Sequence, residues 1–197
     1  MKKKFAVLGV LMIFALLLPA YAGAPLNTVQ TNVDAVLSVL RDPALKAASA
    51  KEAKKEKLRS IYLRMFDEVE LSKRTLAKNW NKLNNAQRKE FVQLYEQVLE
   101  KAYIDKILAY TNEKIAYDKE TMLTGNQAEV YTSIVTASKK IPISYRVIMS
   151  GGVWKVYDVV IENVSLVMNY RTQFNNILAK DTPEQMLDTL RKKVKAQ

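Results

Sequence analysis

The sequence contains no cysteine and no histidine. Without cysteine no disulfide can form, so a folded domain must be held together by its hydrophobic core. The same two absences remove the usual zinc ligands, the thiol nucleophile and the commonest general base of enzymes. Glycine is scarce as well, with five residues in all, and no glycine-rich phosphate loop is present. We therefore expect no metal site, no cofactor and no Ser-His-acid triad.

The first 22 residues have the pattern of a secretory signal peptide. Lys2–Lys4 precede an apolar run from Phe5 to Leu18, and Ala20-Tyr21-Ala22 forms an Ala-x-Ala cleavage site. A membrane anchor is the alternative, but a spanning helix needs about 20 apolar residues and this run is shorter. We therefore expect cleavage after Ala22, export, and a single domain over residues 23–197 with no stable membrane span.

The chain is strongly basic. Lys and Arg number 31 and Asp and Glu number 20, a net charge of +11, which falls to +8 when the three lysines of the leader are removed. For an exported protein, anionic lipid surfaces are the counterpart that this charge suggests, and simple solubility is the alternative. Nucleic-acid binding is not expected, because the aromatic residues fall mainly on predicted inner faces and not on an exposed platform.

Alternating apolar residues predict four β-strands in the second half of the chain. Runs over residues 141–149 and 153–161 flank the only Gly-Gly pair, Gly151-Gly152, which predicts a two-residue hairpin turn. Further alternating runs over 115–123 and 128–137 complete an antiparallel meander. The hairpin turn predicts a register with these facing pairs: Met149 and Trp154, Val147 and Val156, Tyr145 and Asp158, Ile143 and Val160. One side of the sheet, which we call the oily face, is then mostly apolar, with Asp158 as its lone charge.

Helical spacing of apolar residues predicts the remaining elements. Helices are expected over 26–40, from 51 into the sixties, over 71–79, from Asn84 or Asn85 to about 110, from Leu166 behind an N-cap at Ser165, and from Asp181 or Thr182 to the basic end. The helix from Leu166 is expected to cover the oily face. The fold class is therefore α+β, with a helical N-terminal half and C-terminal helices on one face of a curved four-stranded antiparallel sheet, an NTF2-like cone with an apolar cavity.

Asp158 has two interpretations. A carboxylate in an apolar hollow could have a raised pKa and act as a general base. The structural alternative is a buried carboxylate paired with Tyr145, Arg171 or backbone donors.

Two groups of residues resemble the MlaC family, the toluene-tolerance family of periplasmic phospholipid-binding proteins. The helical half contributes Leu58-Arg59-Ser60-Ile61, Phe66-Asp67, Leu71-Ser72, Leu76, Trp80 and Gln87-Arg88-Lys89-Glu90-Phe91. The C-terminal half contributes WKVYDVVIENVSL over 154–166 and NYRTQF over 169–174. The chain departs from the family pattern at three positions, with Glu68 in place of an aromatic residue and Ala77 and Asn163 in place of glycines.

The resemblance implies a periplasmic carrier in the Mla intermembrane system, which maintains outer-membrane lipid asymmetry. Such a carrier holds phospholipid acyl chains in its cavity and exchanges cargo with an outer-membrane lipoprotein complex and an inner-membrane ABC transporter with an MCE-domain ring. On this model we expect the following cavity wall: Phe91, Leu94, Tyr103, Val130, Ile134, Tyr145, Val147, Val156, Val160, Tyr170 and Phe174. Tyr157 and Arg146 are expected on the other face in structural roles.

Three alternatives remain open at the level of the sequence. A hopanoid-associated branch of the family shares the same signature. A cone-shaped enzyme could use Asp158 as its base. A structural envelope protein could have a solid core in place of the cavity.

Overall fold

The computed structural model describes residues 23–109 and 113–196, so the predicted signal peptide lies outside the described residues. The elements are as follows: α1 Ala24–Arg41, α2 Lys51–Met65, α3 Glu68–Leu76, α4 Asn85–Leu108, β1 Lys114–Thr124, β2 Gln127–Val135, β3 Lys140–Ser150, β4 Val153–Ile161, β5 Val164–Ser165, α5 Leu166–Leu178 and α6 Pro183–Ala196. Short 3₁₀ segments connect α1 to α2 and α3 to α4.

Local sequence signals fix the ends of the helices. Asp42-Pro43 stops α1, because a residue before proline is pushed out of the helical region. Asn84 and Gln87 form a capping box at the start of α4. The Ser165 hydroxyl accepts from the Met168 amide and caps α5. The sequence predicts the cap at Ser165 and a cap at Asn84 or Asn85, and the main helix boundaries agree with the prediction to within a few residues.

The sheet is an antiparallel meander in the order β1-β2-β3-β4-β5. The predicted four strands are all present, and the two-residue β5 adds a fifth. The two turns between β1 and β2 and between β3 and β4 lie at the same end of the sheet, where the Met149 amide donates to the Asn126 carbonyl at 2.9 Å.

The register of the β3–β4 hairpin is confirmed near the turn and wrong beyond it. Met149 faces Trp154 and Val147 faces Val156, as predicted. A β-bulge then places Tyr157 as an extra residue, so that Arg146 faces Asp158, Tyr145 faces Val159 and Ile143 faces Ile161. A bulge inserts one residue on one strand and moves every later side chain to the other face. Asp158 and Val160 therefore leave the oily face, and Val159 joins it.

Two hydrophobic cores form in the described part of the chain. The helical core gathers buried residues of α3, α4, α5 and α6, including Leu76, Phe91 and Phe174. The sheet-face core joins α1 to the oily face and to Met65 at the end of α2. Phe66, in the connection between α2 and α3, packs against both cores.

The helix that covers the oily face is α1, not α5, so this prediction is wrong. Val29, Val33 and Leu37 of α1 are buried in the sheet-face core. The apolar side chains of α5 pack into the helical core, and only Leu166, its first residue, reaches the sheet-face core. The bulge has moved Asp158 to the face opposite the oily one. The Ser165 hydroxyl and the Val167 amide both donate hydrogen bonds to Asp158, and the start of α5 is therefore held on that side of the sheet.

Candidate functional site

The oily face is the side of the sheet that carries the sheet-face core. Its central part consists of Ala128, Val130, Val147 and Val156, each with at most 1% of its surface exposed. Val29 and Val33 of α1 lie against this part of the sheet. The helix contributes one apolar side chain per turn, which is the spacing needed to fill a groove on a sheet. This half of the oily face is closed.

The other half of the oily face is covered less completely. We call it the open strip. Its six members are only partly buried. Five lie on the same side of the sheet and the sixth is the first residue of α5: Ile134, Ile141, Ile143, Tyr145, Ile161 and Leu166. Ile134 faces Ile141 and Ile143 faces Ile161, so the strip is continuous across three strands.

Tyr145 is the member of the open strip that carries a hydroxyl group. Burial raises the pKa of this hydroxyl to about 12. The residue nevertheless keeps part of its surface accessible. The open strip is therefore an apolar, partly accessible surface with a single hydroxyl.

The predicted cavity wall falls into three groups in the structure. Val130, Ile134, Tyr145, Val147 and Val156 lie on the oily face. Val160 faces Ser144 on the opposite side of the sheet, because of the bulge. The remaining five residues lie in or against the helical core: Phe91, Leu94, Tyr103, Tyr170 and Phe174.

The helical group is packed as a solid core. The rings of Phe91 and Phe174 meet edge to face at 5.1 Å, and Tyr95 meets Phe174 and Tyr170 in the same way at 5.6 Å and 5.2 Å. Phe91 is fully buried and Phe174 is 3% exposed. Edge-to-face contacts at these distances leave no room between the rings. The structure therefore does not bring the helical group together with the oily-face group as two sides of one space.

Asp158 lies in a saturated polar network on the face opposite to the oily one. Its carboxylate accepts from Ser165 Oγ at 2.6 Å, from the Val167 amide at 3.0 Å and from Arg146 Nη1 at 3.2 Å. The expected backbone donor is present, while the charged partner is Arg146 and not Tyr145 or Arg171. Asp158 is 2% exposed. A buried carboxylate with three donors holds the β4–α5 corner in place.

Two open pockets flank these elements. One, of ≈ 640 Å³, lies where α1 ends and includes Leu37 of the sheet-face core together with Asp34, Asp42 and Lys57. The other, of ≈ 300 Å³, lies between α3, α5 and the face that carries Asp158. Two of its arginines already have partners within the protein: the Arg74 guanidinium stacks on the Tyr157 ring at 3.9 Å, and Arg171 donates to the Arg74 carbonyl.

One buried donor of the sheet-face core has no partner among the described residues. Trp154 is 5% exposed, and its indole Nε1 makes no hydrogen bond. Buried polar groups are nearly always paired, because leaving one unpaired costs roughly 1–3 kcal/mol. The oily face thus offers one unused donor next to its apolar residues.

Within residues 23–109 and 113–196, no helix has both the length and the apolar character that a membrane crossing requires. In the same residues, no three acidic side chains lie close enough together to hold a metal ion.

The contribution of α1 is the part of the site that the sequence analysis missed. The spacing of Val29, Val33 and Leu37 predicts one apolar helical face, and that face is the one that meets the sheet. Helical periodicity identifies which side of a helix is buried but not the element that buries it. The signal is present, and its partner cannot be read from spacing alone.

A comparison with protein-family models identifies one family. The model of the family described as "MlaC protein" matches residues 30–192. A solved structure of a phospholipid-binding protein from Ralstonia solanacearum, in complex with a phospholipid, is 20% identical and superposes with a TM-score of 0.78 over 87% of this chain and 97% of that one. No curated protein sequence matches the chain. At this level of identity the solved structure establishes a shared fold.

Proposed function

Since the chain belongs to the MlaC family, we propose that it is a periplasmic phospholipid carrier that holds acyl chains on the part of the oily face beside α1. In this role it shuttles lipid between an outer-membrane lipoprotein complex and an inner-membrane MCE/ABC transporter of the Mla system, and it is not an enzyme. The observation that carries the proposal is the open strip, a continuous band of partly buried, mostly apolar side chains across three strands.

The geometry of the oily face supports lipid binding. The open strip presents six partly buried side chains in a continuous band, and it borders the valines that α1 covers. Each methylene removed from water gains about 0.8 kcal/mol, so ten methylenes of an acyl chain would gain about 8 kcal/mol. That gross energy corresponds to a Kd of about 1 μM before the costs of association are subtracted, so further buried methylenes would add to retention.

Release then requires a moving element, and α1 is the element that fits. It covers the oily face, and it meets the next helix through short 3₁₀ segments. Loading and release by partner complexes would follow from stabilising a form in which α1 has shifted. The pocket beside Leu37 gives an opening next to this core.

The alternative of an enzyme with Asp158 as base has less support. Its carboxylate accepts three hydrogen bonds, one of them from an arginine, and it faces away from the oily face. A hopanoid-carrying branch of the same family would use the same apolar face, so the cargo itself must be identified by chemical analysis.

The first experiment is native mass spectrometry of the purified exported protein, followed by solvent extraction and lipid analysis. We expect a bound phospholipid. A bound hopanoid would assign the protein to the other branch. A protein that stays free of lipid after incubation with phosphatidylethanolamine–phosphatidylglycerol vesicles would overturn the carrier proposal.

A matched pair of variants then locates the site. Ile143→Trp fills the open strip at a partly buried position, and we expect lipid retention to fall at least about tenfold, the equivalent of roughly 1.4 kcal/mol of binding free energy, while the fold is kept. Val153→Trp makes the same kind of change at a residue that is 53% exposed, and lipid retention should stay as in the wild type. Val147 is a poorer choice, because it is fully buried and tryptophan there would overpack the core. Equal lipid content in a folded Ile143→Trp protein would refute this location.

A further inference from the structure

The first turn of α1 is tied to the sheet by one acidic residue, Glu120. Its Oε1 accepts from the Gly23 backbone nitrogen at 2.6 Å, and its Oε2 accepts from the Leu26 amide at 2.8 Å. Glu120 lies on β1 opposite Val130, which places it at the edge of the oily face. A carboxylate at the first turn of a helix satisfies amides that have no partner within the helix and interacts favourably with the helix dipole.

The position of this contact coincides with the predicted cleavage site. The Ala-x-Ala pattern places the cut after Ala22. The nitrogen that a cut there would free is the Gly23 nitrogen that already lies 2.6 Å from Glu120. Cleavage would convert an amide donor into an ammonium at the same place, so that a hydrogen bond with one charged partner becomes an ion pair with two.

The other ionisable groups near this end of α1 do not compete for Gly23. Tyr117 on β1 donates to Asp34 of α1 at 2.7 Å, farther along the oily face. The Lys119 ammonium lies 5.0 Å from the ring centre of Tyr131. Glu120 is therefore the acidic side chain that the structure presents to the Gly23 nitrogen.

We propose that Glu120 is the acceptor of the α-ammonium that cleavage after Ala22 creates, and that this ion pair fixes α1 over the oily face. Glu120 is then a positioning residue, and the mature N-terminus is a structural part of the cover. The inference rests on the proposed function only for the statement that α1 covers a lipid site. The ion pair itself stands independently of any cargo.

The proposal fixes the direction of a pH effect. A neighbouring carboxylate raises the pKa of an α-amino group, whose ordinary value is about 7.7–8.0. The stability gained from the pair is then complete below that ordinary value. It is lost as the pH rises through the higher pKa of the folded protein.

The test uses the exported, processed protein, with its first residue established by mass and by N-terminal sequencing. The pKa of the Gly23 amino group is measured by NMR on protein labelled with ¹⁵N-glycine. We expect a first residue of Gly23 and a pKa above about 8. In Glu120→Gln the pKa should return to the ordinary range, and in Glu56→Gln, a change at an exposed residue of α2, it should stay raised. A different first residue, or an ordinary pKa in the wild type, would overturn the proposal.

A double-variant cycle separates this pair from a general effect of Glu120 on stability. A protein that starts at Ala22 replaces the Gly23 ammonium with an amide while leaving α1 unchanged. At about pH 6, below the ordinary pKa of an α-amino group, its urea midpoint should be lower than that of the Gly23 protein. The difference should disappear in the Glu120→Gln background. Equal midpoints in the wild-type background would refute the ion pair.

The same samples separate this proposal from the carrier proposal. Their lipid content is measured by native mass spectrometry. A raised amino pKa in a protein that never binds lipid would refute the carrier and support the ion pair. Bound lipid with an ordinary amino pKa would do the reverse.

Discussion

The two hydrophobic cores of this protein differ in how completely they are filled. In the helical core, aromatic rings from α4 and α5 meet edge to face, and Phe91, Tyr95 and Phe174 at its centre are at most 3% exposed. In the sheet-face core, the half under α1 is equally closed, while the open strip keeps part of its apolar surface accessible. The helical core is closely packed, whereas the sheet-face core combines a closed half with a partly exposed one.

The difference assigns separate energetic roles to the two regions. Close-packed interiors lose several kcal/mol when a large side chain is removed, because the cavity that is left cannot collapse. A partly open apolar region has less packing to lose and more to gain from an added apolar body. Substitutions in the helical core should therefore change stability, and substitutions around the open strip should change ligand retention.

The largest expected effect is on the helical core. Phe174→Ala removes a ring that is 3% exposed and contacts both Phe91 and Tyr95. We expect the free energy of unfolding to fall by about 3–5 kcal/mol, measured by urea denaturation with circular dichroism. Ile177→Ala, at a partly buried position of the same helix, should cost less. A loss no larger than that of Ile177→Ala would show that the helical core is not tightly packed.

Asp158→Asn tests the polar corner that separates the two cores. The substitution keeps the shape of the side chain but removes the charge that Arg146 pairs with at 3.2 Å. Hydrogen bonds to charged groups contribute about 1.5–3 kcal/mol, so we expect the free energy of unfolding to fall by about 2–3 kcal/mol. Lipid retention per folded molecule should be unchanged, because Asp158 faces away from the oily face. Loss of lipid from a fully folded variant would place Asp158 in the binding site. The control is Asp105→Asn, at an exposed position of α4.

The region around Asp158 also shows what the sequence could and could not predict. Elements with strong local signals were predicted well: the cap of α4 at Asn84 or Asn85, the cap of α5 at Ser165 and the glycine turn at 151–152. The β-bulge at Tyr157 was not predicted, because it accompanies the hydrogen bonds that the Asp158 carboxylate accepts from Arg146, Ser165 and Val167. One inserted residue moved Asp158 and Val160 off the oily face and Val159 onto it.

Only part of the predicted cavity wall lies on one face of the sheet, because strand alternation is a local signal and the packing of helices is not. Alternation along a strand predicts Val130, Ile134, Tyr145, Val147 and Val156 on one face, and the structure keeps them there. The partner of that face depends on long-range packing, which helical spacing does not specify. The prediction that Phe91, Tyr170 and Phe174 line the same space is not supported by their packing, because they contact one another in the helical core.

Substitution in α1 sharpens the contrast between scaffold and cover. Val29→Ala removes two methyl groups from a fully buried position between α1 and the sheet. We expect a moderate loss of stability, about 1–2 kcal/mol, together with faster transfer of fluorescent phospholipid to acceptor vesicles. The matched control is Val69→Ala on α3, at a residue that is 56% exposed, and it should change neither quantity. Unchanged transfer in Val29→Ala would show that α1 does not limit release.

A pH dependence is expected at the junction between the two cores. Glu68 begins α3, next to Phe66, and its Oε1 is buried without a hydrogen-bond partner among the described residues. Burial, reinforced by the charge of Glu96, raises the pKa of Glu68 to about 7. The folded protein then holds this proton more tightly than the unfolded chain, so stability should fall as the pH rises from about 4.5 to about 7. Glu68→Gln should remove this part of the pH dependence of stability, and at pH values above about 7 its urea midpoint should be higher than that of the wild type. Glu56→Gln, at an exposed position of α2, should leave the pH dependence as it is. An identical pH profile in Glu68→Gln and the wild type would mean that the junction is open to water, and that the two cores are less separate than their packing indicates.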